Sequence, residues 1–179
     1  MLYEIQTYGK DVLRKETMRI ESIDKPIGDI VSNMFETMYA AEGIGLAAPQ
    51  VDHSIKLFVI DLSPLEDSEG KRVFINPEIY EYGSEQDDYE EGCLSLPTIR
   101  EIVERPTRIK MRYQDLDGKQ HDETFDGFLA RVIQHENDHL NKTLFIDHLS
   151  SLKRSMLRNT LKKIAAGEIE IEASENFEL

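Results

Sequence analysis

Cysteine is almost missing from this chain: Cys93 stands alone, so no disulfide can form within it, which agrees with a reducing compartment. Long apolar runs are missing as well. No stretch approaches the length of a membrane-spanning helix, and residues 1–10 lack the apolar core of a signal peptide, so a cytoplasmic location and no membrane partner are expected. There is no surplus of positive charge. A net charge of −14 argues against a general nucleic-acid binder, and no DNA partner is expected. Neither an internal repeat nor a linker divides the sequence, so 1–179 reads as one domain.

What is present describes a folded protein, with 40% apolar and 31% charged residues. Residues 1–22 read as irregular. Asp24-Lys25-Pro26 has the form of a helix start, followed by Ile27, Ile30, Val31, Met34, Phe35 and Met38 at helical spacing, with Gly43 ending the run. Residues 43–50 read as a loop of small and apolar residues whose glycines permit close backbone approach to a ligand. No Gly-Lys-Ser/Thr follows, so it is not a phosphate loop. Strand-like segments cover 56–62, 73–80, a stretch leading to Cys93, and 99–104. Segments 108–114 and 120–125 flank Asp115-Leu116-Asp117-Gly118, a hairpin signal. A helix over 127–141 and an amphipathic helix within 148–167 complete the pattern. The expected fold is α+β, with largely antiparallel sheet around a central helix and a C-terminal helix. Between 148 and 167 the chain carries Lys153, Arg154, Arg158, Lys162 and Lys163 but no acid, and 168–179 forms an acidic tail.

His135-Glu136-Asn137-Asp138-His139 carries the chemistry. Residues four apart share a helix face, so both imidazoles can bind one metal ion while Glu136 acts beside it as general base. Phe128, Val132, His135 and His139 fall on one stripe, which also fits a plain buried face with two satisfied histidines. A catalytic metal needs a further protein ligand. One group of zinc proteases takes a histidine ten positions after the first, preceded by a glycine, but Phe145 and Lys142 stand there. A downstream glutamate leaves only Glu168, past a whole helix. Cys93, within Glu91-Gly92-Cys93-Leu94-Ser95, is the better candidate, because a thiolate binds first-row divalent ions strongly.

Three segments together, Gly43-Ile44-Gly45-Leu46-Ala47-Ala48-Pro49-Gln50, Glu91-Gly92-Cys93-Leu94-Ser95 and Gln134-His135-Glu136-Asn137-Asp138-His139-Leu140, resemble the three motifs of peptide deformylases, in order and with similar spacing. The resemblance implies a metal-dependent hydrolase that removes the N-formyl group from formyl-methionine on new polypeptides. It implies Cys93, His135 and His139 as metal ligands, Glu136 as proton carrier, and the Gln50 amide with the Leu94 N–H as oxyanion donors. Gly45 would meet the substrate backbone, which would pair as an added strand. Ile44, Tyr89, Phe128 and Val132 would wall the methionine pocket, with the Arg131 stem at its rim and Glu91 and Arg100 on the substrate side. Fe²⁺ is the ion implied in the cell, with Zn²⁺, Ni²⁺ or Co²⁺ in a purified sample. The C-terminal helix would contact the ribosome.

Asp138, on the other side of the helix, is expected to pair with Arg105; His53, His121 and His148 are read as structural or exposed. The family pattern usually has glycine where this chain has Lys142, so an altered helix end is expected without loss of chemistry. Two other classes compete: a metal-dependent endopeptidase, and a non-catalytic protein that binds formylated termini or stores metal.

Overall fold

A computed structural model describes residues 1–65 and 70–169. The expected α+β fold is present. Helix α1 (Lys25–Ala40) begins where Asp24 accepts a hydrogen bond from the Ile27 N–H at 3.3 Å, with Pro26 in the first turn. Five strands form one antiparallel sheet in the order β1-β2-β3-β6-β7: Gly45–Ala47, Leu57–Ile60, Arg72–Tyr82, Arg108–Gln114 and Gln120–Asp126. Strands β4 (Gln86–Glu91) and β5 (Glu101–Pro106) pair separately, also antiparallel.

Strand β2 shows why the core has layers. Leu57 and Val59 pack with Val31, Met34 and Met38 of α1, whereas Phe58 and Ile60 pack with Val132 and Ile133 of helix α2 (Gly127–Leu140). A strand covered on both faces has no polar side to show, hence its unbroken apolar sequence. A third cluster joins Cys93, Leu96 and Val103 to Phe145, Ile146, Leu161 and Ile164. It brings the middle of the chain against its C-terminal helices.

Several expectations need correction. The loop expected over 43–50 contains β1 and a 3-10 turn, Ala48–Val51, because its backbone pairs with β2 in the register Gly45↔Ile60. A 3-10 turn, Asp11–Arg14, interrupts the irregular N-terminal stretch. The helix expected over 148–167 is two pieces, α3 (Ser151–Met156) and α4 (Arg158–Ala165), joined at Leu157. Only α4 reaches the core, through Leu161 and Ile164, and Leu152 and Met156 are 71% and 76% exposed. Of the acidic tail, Glu170, Glu172, Glu175 and Glu178 lie outside the described residues.

Helix α2 does not end abnormally at Lys142. The Thr143 N–H donates to the Asp138 carbonyl at 2.9 Å and the Lys142 N–H to that of His139 at 3.3 Å. This is the usual glycine-type helix ending, and Lys142 takes the left-handed φ of 61° that it requires. A side chain there costs about 1 kcal/mol or more. Lys142→Gly should therefore raise stability by about 0.5–1 kcal/mol after the flexibility glycine adds to the unfolded chain, and lift Tm by about 1–4 °C. Thermal unfolding checks this, and an unchanged or lower Tm would contradict it.

Candidate metal centre

Helix α2 carries its site residues on a pinned frame. Gln134 donates to the Pro106 carbonyl of β5 at 2.9 Å, and Thr17 donates to the Leu140 carbonyl at 2.8 Å. Arg105 of β5 donates to Asp138 at 2.9 Å, the pairing expected from the sequence. His148 reaches the same Asp138 oxygen at 2.7 Å from the surface. Burial pushes the Asp138 pKa up, but His148 and Arg105 outweigh it and hold the carboxylate below its usual value.

On the inner face, the candidate ligand atoms of Cys93, His135 and His139 lie within 4.8 Å of one another, all buried. Cys93 Sγ is 3.4 Å from His139 Nε2. His135 Nδ1 lies 2.9 Å from Glu91 Oε1; a carboxylate can only accept, so the ring proton sits on Nδ1 and the lone pair on Nε2. His135 Nε2, His139 Nδ1 and both Glu136 oxygens are buried and have no hydrogen-bond partner among the described residues. The lone pair of His135 Nε2, with Cys93 Sγ and His139 Nε2 nearby, fits a divalent cation held by one thiolate and two neutral imidazoles. Burial, assisted by His135, pushes the His139 pKa down to about 3, which keeps the ring neutral and able to ligate.

Beneath His135 lies a buried charge network. Glu91 is fully buried and accepts from Arg105 at 2.7 and 3.0 Å and from Arg131 at 2.8 Å. Burial alone would raise its pKa, but His135 and Arg105 win, and Glu91 titrates far below an ordinary carboxylate. Glu136 is the opposite case. Burial pushes it well above its usual value, the charges of Glu91 and Asp138 push it further, and Arg105 opposes them only partly. Two carboxyl groups in one site are thus driven apart, Glu91 toward the ionised form and Glu136 toward the protonated one.

The remaining expected residues divide. Gln50 is buried; its Oε1 accepts from the Ala47 N–H at 2.8 Å, which turns Nε2 toward Ser95 Oγ at 3.1 Å and Cys93 Sγ at 3.5 Å. Gly45 packs so closely that an added Cβ would lie 2.4 Å from Glu136 Oε1, so the residue also makes room for the carboxyl group. Ile44, Val132 and Phe128 share one apolar cluster, and the Tyr89 ring sits 5.2 Å from Phe128. Leu94, next to Cys93 in sequence, is buried with its side chain in the cluster with α1.

Glu91, expected on the substrate side, is instead enclosed under His135 with both oxygens engaged. The stem of Arg131, expected at the pocket rim, carries a guanidinium that lies 5.8 Å from the Tyr89 ring centroid and donates to Glu91, the Val103 carbonyl and Asp87. Arg100 pairs with Glu90 at 3.2 Å on the surface. His53 packs edge-on against Tyr3, and His121 is bound to Asp115. Ser95 and Asp87 were not anticipated. Ser95 ends the second motif and Asp87 lies in no motif, and each matters only through a partner brought from elsewhere.

A helix presenting two imidazoles and a buried carboxyl group, closed by a thiol from another segment, defines a metallohydrolase of the HExxH class. The family model for polypeptide deformylase matches residues 2–155. Curated peptide deformylases are similar: that of Salinibacter ruber is 44% identical, with 95% of this chain and 92% of the relative covered. That of Cytophaga hutchinsonii is 46% identical, with coverages of 94% and 93%. Among solved structures, peptide deformylase from Plasmodium falciparum has a TM-score of 0.86 at 36% identity, covering 91% of this chain and 95% of that one. The Thermotoga maritima peptide deformylase has a TM-score of 0.79 at 43% identity, covering 84% and 99%. This chain belongs to the polypeptide deformylase family.

Glu91→Gln tests the network. It leaves two buried guanidinium groups short of an anion, so stability should fall by about 3–5 kcal/mol. Divalent-ion affinity, by chelator competition, should fall about 10–100-fold. Because Glu91 and Asp138 titrate lower in the fold than in the unfolded chain, their stabilisation is complete above about pH 5 and is lost as pH falls further. Acid unfolding should be less steep in the variant. Equal steepness with unchanged ion affinity would contradict the role given to Glu91.

Proposed function

We propose that this chain hydrolyses the N-formyl group of formyl-methionine at the start of newly made polypeptides, releasing formate, with Cys93, His135 and His139 holding one divalent ion. The observation that carries this reading is the meeting of those three ligands beside a buried, unpartnered Glu136. When bound there, the ion supplies Lewis-acid activation of water near neutral pH. Fe²⁺ is the ion proposed in the cell, with Zn²⁺, Ni²⁺ or Co²⁺ able to replace it in a purified sample.

Glu136 takes a proton from water and passes it to the departing amine, a role suited to a carboxyl group whose proton affinity is raised by burial and by the nearby charges of Glu91 and Asp138. As the formyl carbon becomes tetrahedral, its oxygen gains charge and needs donors already in place. The Gln50 amide, fixed by Ala47, and the Leu94 N–H serve as those donors. Glu91, Arg105 and Arg131 hold the His135 ring and take no proton themselves.

Strand β1 supports the substrate-binding reading. Among the described residues it ends the strand order and pairs with β2 alone, which leaves its other edge for an extended peptide. Added-strand pairing reads main chain and tolerates many sequences, as an enzyme acting on new polypeptides requires. Gly45 lies on that edge. Ile44, Tyr89, Phe128 and Val132 form the methionine pocket, with Arg100 near the cleft.

Residues 1–179 act as one catalytic domain located in the cytoplasm; among the described residues no helix is long and apolar enough to cross a membrane. The cations of 148–167 supply a face for ribosome contact.

A formyl-Met peptide separates this function from its rivals. Formate should be released from it while an unformylated peptide stays intact, and Glu136→Gln should lower kcat by about 10²–10⁴-fold. Cleavage of the unformylated peptide would instead support an endopeptidase. Anaerobic purification with metal analysis should find iron, with activity falling as it oxidises. Full activity restored by zinc alone would overturn the choice of iron.

A further inference from the structure

A groove of about 560 Å³ runs between the N-terminal segment and the C-terminal helices, lined by residues outside the metal centre. Gly9 allows it to form: with φ of 99°, it packs so tightly on α4 that an added Cβ would lie 2.7 Å from Ala165 Cβ. Tyr8 stands at one wall, and Ile146, Leu161 and Ala165 supply apolar surface. Arg154, Arg158 and Lys162 recur at every fourth residue along α3 and α4, so all three line the groove together with the hydroxyls of Ser151 and Ser155.

The charge balance of this groove is unusual for the molecule. Arg14 and Asp147 also line it, but they pair with each other, and Asp147 further accepts from the Leu144 N–H at 2.9 Å. Arg154, Arg158 and Lys162 have no side-chain hydrogen bond or ion pair among the described residues. Three like charges on one concave wall repel one another, and in a chain of net charge −14 they are not a product of general basicity. Solvated cations need no concavity, no aromatic wall and no hydroxyl groups. An anion with a flat apolar part uses all of them, and the volume matches small-ligand pockets.

We propose that this groove binds a phosphate-bearing ligand of mononucleotide size, its phosphates held by Arg154, Arg158 and Lys162 and its ring placed against Tyr8 and the apolar surface. The site is separate from the metal centre and carries no step of the deformylation.

The test uses the full-length, metal-loaded protein at constant ionic strength, titrated with ADP, inorganic pyrophosphate and a short oligoribonucleotide while backbone amides are followed by NMR. ADP should bind saturably with Kd near or below about 1 mM, shifting Tyr8 and residues 151–165, and pyrophosphate should bind more weakly at the cationic wall. Arg158→Glu with Lys162→Glu should weaken ADP about tenfold or more. Arg19→Glu with Lys119→Glu, the same charge change at exposed positions outside the groove, should leave ADP affinity unchanged. Formate release should be the same in all three proteins. Absence of saturation by about 10 mM ADP, equal loss in the control pair, or binding of the oligoribonucleotide alone would overturn the proposal.

Discussion

The fully buried carboxylate of Glu91 is the interaction on which the rest of the site depends. It fixes the His135 tautomer by accepting from Nδ1, and two guanidinium groups hold it in place. An isolated charge at that depth would be strongly penalised and would give up its ionisation. His135 and Arg105 keep it ionised, and the two arginines are tied onward, Arg105 to Asp138 and Arg131 to Asp87 and the Val103 carbonyl. The network thus joins β4, β5 and α2 at one point and sets the direction of a ligand lone pair. The negative charge it places near Glu136 also raises the proton affinity of that group. One buried anion therefore orients the His135 ring and raises the proton affinity of the neighbouring Glu136.

The fold supplies what such an arrangement requires. Helix α2 lies against the five-stranded sheet through Val132 and Ile133, while Cys93 belongs to a different cluster with Phe145 and Ile164. The candidate metal ligands therefore sit where two apolar clusters meet. Gly45 allows the β1 backbone to approach Glu136 without a side chain between them.

Much of this was legible in the sequence wherever the signal was local. The Asp24-Lys25-Pro26 helix start, the Asp115–Gly118 turn and the spacing of His135 and His139 each lie within a few residues and follow from backbone geometry. The pairing of Arg105 with Asp138 was inferred from family likeness and is present. What escaped depends on distant partners. Family likeness places Glu91 on the substrate side and the Arg131 stem at the pocket rim, and only their mutual approach shows that both are buried in one ion-pair network. The apolar stripe from Leu149 to Ile164 suggests one continuous helix, yet the break at Leu157 leaves Leu152 and Met156 outside the core. Lys142 shows a milder form of the same limit: the left-handed backbone there is set by the helix ending and accepted despite the side chain.

The coordination of the ion is the most direct point at which the structure meets experiment. X-ray absorption on protein loaded with a single zinc ion should show one sulfur near about 2.3 Å and two imidazole nitrogens near about 2.0–2.1 Å, with the sulfur contribution absent in Cys93→Ser. A spectrum from the unmodified protein that requires only nitrogen and oxygen neighbours would contradict a centre built from Cys93, His135 and His139.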